Sequence, residues 1–198
     1  MAVEWYKKGS ELITCITGYA STGKSTVIRE IVRNLGLLDH QVVYCCFTGK
    51  ATLVLRLKGI NNSVTIHKLI YKKSYEDVVV TDPKTGKKTI KKVLKFTINK
   101  DFDNLNELLR NVKLIIVDEA SMCDETIVTD LASFKIPILA LGDQGQIPPV
   151  KGKLGFNLNN PLINLNELVR TAQDDPIAYI SFLARTGQKI PYGTYGKN

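Results

Sequence analysis

The eight residues Gly18-Tyr19-Ala20-Ser21-Thr22-Gly23-Lys24-Ser25 constrain this chain more than any other stretch. They fit the spacing G-x-x-x-x-G-K-[ST], in which backbone N–H groups cradle phosphates. Both flanks suit that role. Leu12 to Thr17 is a short apolar, β-branched run that reads as a buried strand. Thr26 to Leu35 carries apolar residues at helical spacing and is stopped by Gly36. A strand, a glycine loop and a helix N-terminus together aim N–H dipoles at an anion. The candidate nucleotide-binding residues are Gly18, Ala20, Ser21, Thr22, Gly23, Lys24, Ser25 and Thr26. Lys24 is expected on the β- and γ-phosphates of ATP, and Ser25 on Mg²⁺.

The rest of the chain supports an α/β domain around this loop. Gln41 to Phe47 reads as a second buried strand, followed by a helix from Thr48-Gly49 to Leu57 that Gly59 ends. Asn104 to Arg110 reads as a helix, Lys113 to Val117 as a strand, Glu125 to Leu131 as a short helix, and Ile136 to Leu141 as another strand. Continuous apolar strands separated by helices argue a parallel sheet covered on both faces. A length of 198 residues suits one domain with an insertion, and 44% hydrophobic residues suffice for a sizeable core. No apolar run approaches a membrane span, and Met1 to Lys8 has no signal-peptide core. A cytoplasmic protein with no membrane partner is expected. Cys15, Cys45, Cys46 and Cys123 form no C-x-x-C pair and read as buried reduced thiols.

Charge is unevenly spread. The net charge is +8, and the stretch from Thr81 to Lys100 holds seven lysines against the single acid Asp82. This stretch breaks the α/β alternation. Val78-Val79-Val80, the turn formers Asp82 to Gly86, and Ile90 to Ile98 predict a lysine-rich β-hairpin within an inserted subdomain at about residues 72–102. Such local basicity attracts phosphates, although a basic hairpin also protects an exposed edge from aggregation. The tip carries no aromatic wedge.

Two further clusters carry chemistry. Asp118-Glu119 ends a buried strand, where open α/β sheets bind ligands. Asp118 is expected to hold Mg²⁺ and Glu119 to polarise the attacking water. The adjacent acids favour hydrolysis over mere binding. Gly142-Asp143-Gln144-Gly145-Gln146-Ile147-Pro148-Pro149-Val150 is a polar turn stiffened by two prolines. Its Gln146 amide can donate to a γ-phosphate and accept from water.

Taken in order, these segments resemble the superfamily 1B DNA helicases of the RecD/Dda type. Phe47-Thr48-Gly49-Lys50-Ala51, Thr65-Ile66-His67 and Leu165-Asn166-Glu167-Leu168-Val169-Arg170 complete the pattern, which runs from about Ile13 to Arg185. The resemblance implies a RecA-like P-loop NTPase fold and 5′–3′ unwinding driven by ATP. It implies that Gln146 and Arg170 meet the γ-phosphate, alongside Lys24 and Glu119 as catalytic residues. It also implies single-stranded DNA on the far side of the domain, against Phe47, Thr48, Lys50, Thr65 and His67, with Lys87 and Lys88 of the hairpin at a duplex fork. Thr48 is equally a natural helix N-cap.

Two features depart from that family. No glutamine precedes Gly18 to read adenine, and nothing after Arg170 resembles the second RecA-like domain. That partner half is expected in cis in a longer chain or from a second chain, and this chain alone is expected to hydrolyse ATP poorly. Two alternatives are a P-loop ATPase or kinase with a non-nucleic substrate, and a DNA-binding module with a vestigial nucleotide site.

Overall fold

In the computed structural model, the apolar runs pair as one six-stranded parallel sheet, and residues 1–81, 83, 86–99, 109–167 and 175–193 are described. The strands are β1 (Ile13–Gly18), β2 (Val42–Cys46), β3 (Ser63–Thr65), β4 (Tyr71–Thr81), β5 (Lys88–Ile98), β6 (Leu114–Asp118), β7 (Ile138–Gly142) and β8 (Ile163–Leu165). The helices are α1 (Ala2–Lys8), α2 (Lys24–Leu35), α3 (Gly49–Leu57), α4 (Ile66–Ile70), α5 (Glu125–Ala132) and α6 (Pro176–Arg185). The main sheet runs β3-β2-β6-β7-β1-β8, and β4 with β5 forms a separate antiparallel ribbon.

The sheet divides the core into two apolar layers, as strands buried on both faces require. On one face Ile16, Ile116, Leu139 and Leu141 pack with Trp5 of α1 and with Ile28 and Ile31 of α2. On the other, Val43, Cys45, Ile115, Val117 and Ala140 pack with Leu69 of α4 and Leu131 of α5. Leu139 and Ile116 are fully buried at the centre. Truncating either to Ala costs about 2–5 kcal/mol. All four cysteines are free and buried. Burial pushes the Cys15 thiol up to about 11 and Cys46 to about 12, so these thiols fill space rather than react.

The parallel register aligns the carboxyl ends of three neighbouring strands. Thr17 of β1 sits opposite Gly142 of β7, and Val117 of β6 opposite Ala140 of β7. The phosphate loop, the Asp143 turn and the Asp118-Glu119 pair therefore leave the sheet side by side.

The predicted hairpin is present and longer than the sequence reading gave it. β4 begins at Tyr71 rather than Val78, and eleven residues pair with eleven across it. Both faces are largely exposed, so no buried side imprints an apolar alternation on Lys72 to Asp77. At its base, Phe96 stands edge-on to His67 at 5.7 Å, and the Tyr71 hydroxyl donates to Asp130 of α5. The helix expected over residues 104–110 falls largely outside the described residues, and Leu109 and Arg110 form a turn.

α1, α6 and β8 were not anticipated from the sequence. α6 nevertheless carries a start signal, Asp175 followed by Pro176. The Asp175 carboxylate accepts from the N–H groups of Ile177 at 3.0 Å and Ala178 at 3.4 Å.

Candidate nucleotide site and adjoining cavity

The phosphate loop is shaped by close approach. A Cβ on Gly18 would lie 2.6 Å from Thr22 Oγ1 and 2.8 Å from the Leu165 carbonyl of β8, so the strand can end there only in glycine. The Thr22 hydroxyl donates to the Tyr19 carbonyl at 2.8 Å and closes the loop. Ser21 (φ 63°) and Gly23 (φ 85°) turn the chain through left-handed conformations into α2. Ala20 and Ser21 form the exposed crest. Lys24 and Ser25 open the helix, where the first N–H groups lack intrahelical acceptors. Thr26 is exposed one residue further on, its N–H held by the Gly23 carbonyl at 2.9 Å.

Lys24 folds back over this loop, its Nζ donating to the carbonyls of Gly18 at 2.6 Å and Tyr19 at 2.7 Å. Burial holds its amine below the ordinary value, while Asp143, Glu119 and Asp118 pull it back up. Three carboxylates thus act electrostatically on one lysine.

Asp118 ends β6, and its Oδ1 accepts the Glu119 N–H at 3.0 Å. Burial, and then the neighbouring Glu119, raise its carboxyl above the usual aspartate value. Glu119 adopts φ 57° and ψ 44°, a left-handed conformation that few non-glycine residues take. Such backbone strain concentrates at functional sites. The 3₁₀ turn Ala120–Met122 follows and presents Ser121, whose hydroxyl donates to Gln146 Oε1 at 2.5 Å.

Asp143 and Gln146 lie on the turn after β7. Asp143 is 3% exposed, and its Oδ1 accepts the Gly145 N–H at 2.9 Å. Its Oδ2 is paired with the guanidinium of Arg185 at the end of α6. The Arg185 guanidinium carbon also stands 5.9 Å from the centre of the Tyr19 ring. Sequence reasoning assigned no role to Ser121, Asp143, Tyr19 or Arg185. Asp143 sits in the polar turn from Gly142 to Val150, but Arg185 is 42 residues away and carries no local signal. Arg170, expected at the γ-phosphate, lies outside the described residues.

The residues expected on DNA divide. Phe47 and His67 stand edge-on at 5.7 Å and line a cavity of about 840 Å³. Glu119, Gln146 and Arg185 line the same cavity. The hydroxyls of Thr48 and Thr65 cap α3 and α4, accepting from Ala51 and Lys68 at 3.2 Å each. Lys50 is exposed on the first turn of α3, and Lys87 and Lys88 are exposed on the distant hairpin.

The cradle and its donor set fit a nucleotide with Mg²⁺. Gly18 leaves no room for a side chain, Lys24 supplies a cation inside the loop, and Ser25 and Asp118 are hard oxygen donors. Among the described residues no cluster of three or more His, Cys, Asp or Glu could hold a metal. No helix among them is long and apolar enough to cross a membrane.

The AAA domain family model matches residues 6–152. No curated protein matches the chain. Among solved structures it is similar to the Pif1 helicase of Bacteroides sp in complex with ADP-AlF4, at 19% identity and TM-score 0.56 over 95% of this chain and 45% of that one. It is similar to Pif1 helicase from Candida albicans at 20% identity and TM-score 0.53, over 92% and 42%. A structure of two coordinating Pif1 helicases at forked double-stranded DNA gives 20% identity and TM-score 0.56, over 85% and 42%. The chain spans less than half the length of each, and the shared fold is the RecA-like α/β fold.

Proposed function

The chain belongs to the AAA domain family, and from that premise we propose that it is the first motor domain of a superfamily 1B DNA helicase, hydrolysing ATP to move along single-stranded DNA in the 5′–3′ direction. One observation carries this reading. The phosphate loop, the acidic pair and Gln146 leave adjacent strands, and Gln146 and Glu119 line the cavity that also holds Phe47 and His67. A nucleotide signal and a DNA signal would therefore meet in one cavity.

Lys24 would leave the loop carbonyls for the β- and γ-phosphates, a charge-assisted exchange. Glu119 would orient and deprotonate the attacking water. Ser25 and Asp118 would hold Mg²⁺, which supplies charge neutralisation across the phosphates when bound. Gln146 would report the γ-phosphate to the cavity, and Arg170 would contact it. Phe47 and His67 offer ring faces for bases, and Lys50, Thr48 and Thr65 flank the path. Lys87 and Lys88 would meet the phosphates of a duplex fork. A second RecA-like domain, in cis or in trans, would complete the ATP site, so this chain alone hydrolyses ATP slowly.

The deciding experiment is ATP hydrolysis by the full protein with and without a single-stranded oligonucleotide, in wild type and Lys24→Ala. The reading expects stimulation by DNA and loss of activity in the variant. ATPase indifferent to DNA would favour an ATPase or kinase acting on a non-nucleic substrate. Intact biological function in Lys24→Ala would favour a DNA-binding module with a vestigial site.

A further inference from the structure

Asp143 poses an electrostatic problem for a phosphate site. It is the only charged residue buried among the described residues, and it exerts the strongest upward pull on the Lys24 amine. A bare carboxylate there would repel the phosphates that the loop is built to receive, in surroundings that screen poorly. The Lys24 Nζ donates to the carbonyls of Gly18 and Tyr19 instead of forming an ion pair with it. Arg185 forms that ion pair, through Oδ2.

The same guanidinium is fixed on a second side. It stands over the Tyr19 ring, and Tyr19 packs edge-on against Phe182 of α6 at 5.8 Å. One turn of α6 therefore grips both the phosphate loop and the β7 exit turn. The side chain of Arg185 is 29% exposed and borders the cavity beside Gly145.

We propose that Arg185 is a positioning residue of the nucleotide site, neutralising the buried Asp143 carboxylate so that phosphates can enter and tying the phosphate loop to α6 through Tyr19. The proposal rests on the nucleotide-binding reading above. It makes the charge of Asp143, and not a direct grip on phosphate, the reason that Arg185 matters.

Two consequences separate it from a purely structural role. Removing Arg185 exposes the nucleotide to one extra negative charge, so the loss of affinity grows with the number of phosphates. Removing the Asp143 charge as well restores binding, because nothing remains to be neutralised.

The test measures binding of AMP, ADP and ATP with Mg²⁺ to the full chain by calorimetry, in wild type, Arg185→Ala, Asp143→Asn and the double variant. Thermal denaturation monitors folding. Arg185→Ala is expected to weaken ATP at least tenfold, ADP less and AMP least. The double variant is expected to bind all three within about threefold of wild type. Equal losses for the three nucleotides, or a folded double variant still tenfold weaker for ATP, would overturn the proposal. If Arg185→Ala does not fold, the double variant against Asp143→Asn decides: similar affinities support the proposal and a tenfold gap overturns it. Wild-type protein that binds none of the three would overturn the nucleotide reading, and this inference with it.

Discussion

Ser121 Oγ donates to Gln146 Oε1 at 2.5 Å and so joins the turn after β6 to the turn after β7. With its oxygen occupied, Gln146 has its amide N–H donors left for the cavity that it lines with Glu119. Ser121 is 3% exposed and cannot drift away. The bond is a fixed hinge between the acid pair and the amide.

Ser121→Ala should therefore slow ATP turnover with little change in KM for ATP. One net hydrogen bond is worth about 1 kcal/mol, or about fivefold in rate. Steady-state kinetics at saturating single-stranded DNA checks the split between kcat and KM.

Gly142→Ala should destabilise the domain. A Cβ there would lie 2.7 Å from both Leu158 δ-carbons, inside a packed layer. Overpacking of this kind costs about 1–3 kcal/mol. Denaturant melts should show the loss, and Leu158→Val in the same chain should recover part of it.

Asp118→Asn should raise the stability of the nucleotide-free protein while abolishing hydrolysis. The folded carboxyl titrates above its unfolded value because burial and Glu119 disfavour the charged form. It thus costs no stability at pH low enough to protonate it in both states. The cost develops as pH rises through the raised folded value and is complete at neutrality. The gain in Asp118→Asn, about 1 kcal/mol as for other relaxed functional sites, should be present at pH 7 and vanish below the ordinary aspartate range. Melts across pH measure this directly.

Lys87→Ala combined with Lys88→Ala should weaken DNA binding in a salt-dependent way. Each lost phosphate contact lowers the slope of log affinity against log salt by about 0.9 on duplex DNA. Fluorescence anisotropy over a salt series reads the slope. An unchanged slope would place the hairpin tip away from DNA.

Much of the site was legible in local spacing because its parts are local. Glycine spacing between a buried strand and a helix marks the phosphate loop, and two acids at the end of an apolar run mark the second half. The antiparallel ribbon was legible at its lysine-rich end and not at its base. There Lys72 to Asp77 are polar on both faces, and Tyr71 and Phe96 take their meaning only from His67 and Asp130. The cavity with Phe47, His67, Glu119 and Gln146 in its wall draws on four separate segments and so carries no local signal.

The sequence by itself determined that this chain makes a parallel α/β sheet carrying a phosphate loop, since buried strands and glycine turns are written in neighbouring residues. Only the tertiary structure decided what surrounds the loop. Arg185 reaches Asp143 across 42 positions, and Leu165 closes over Gly18 from another strand. Pairing of a buried charge and close backbone contact depend on where elements pack, and no local pattern of residues encodes that distance.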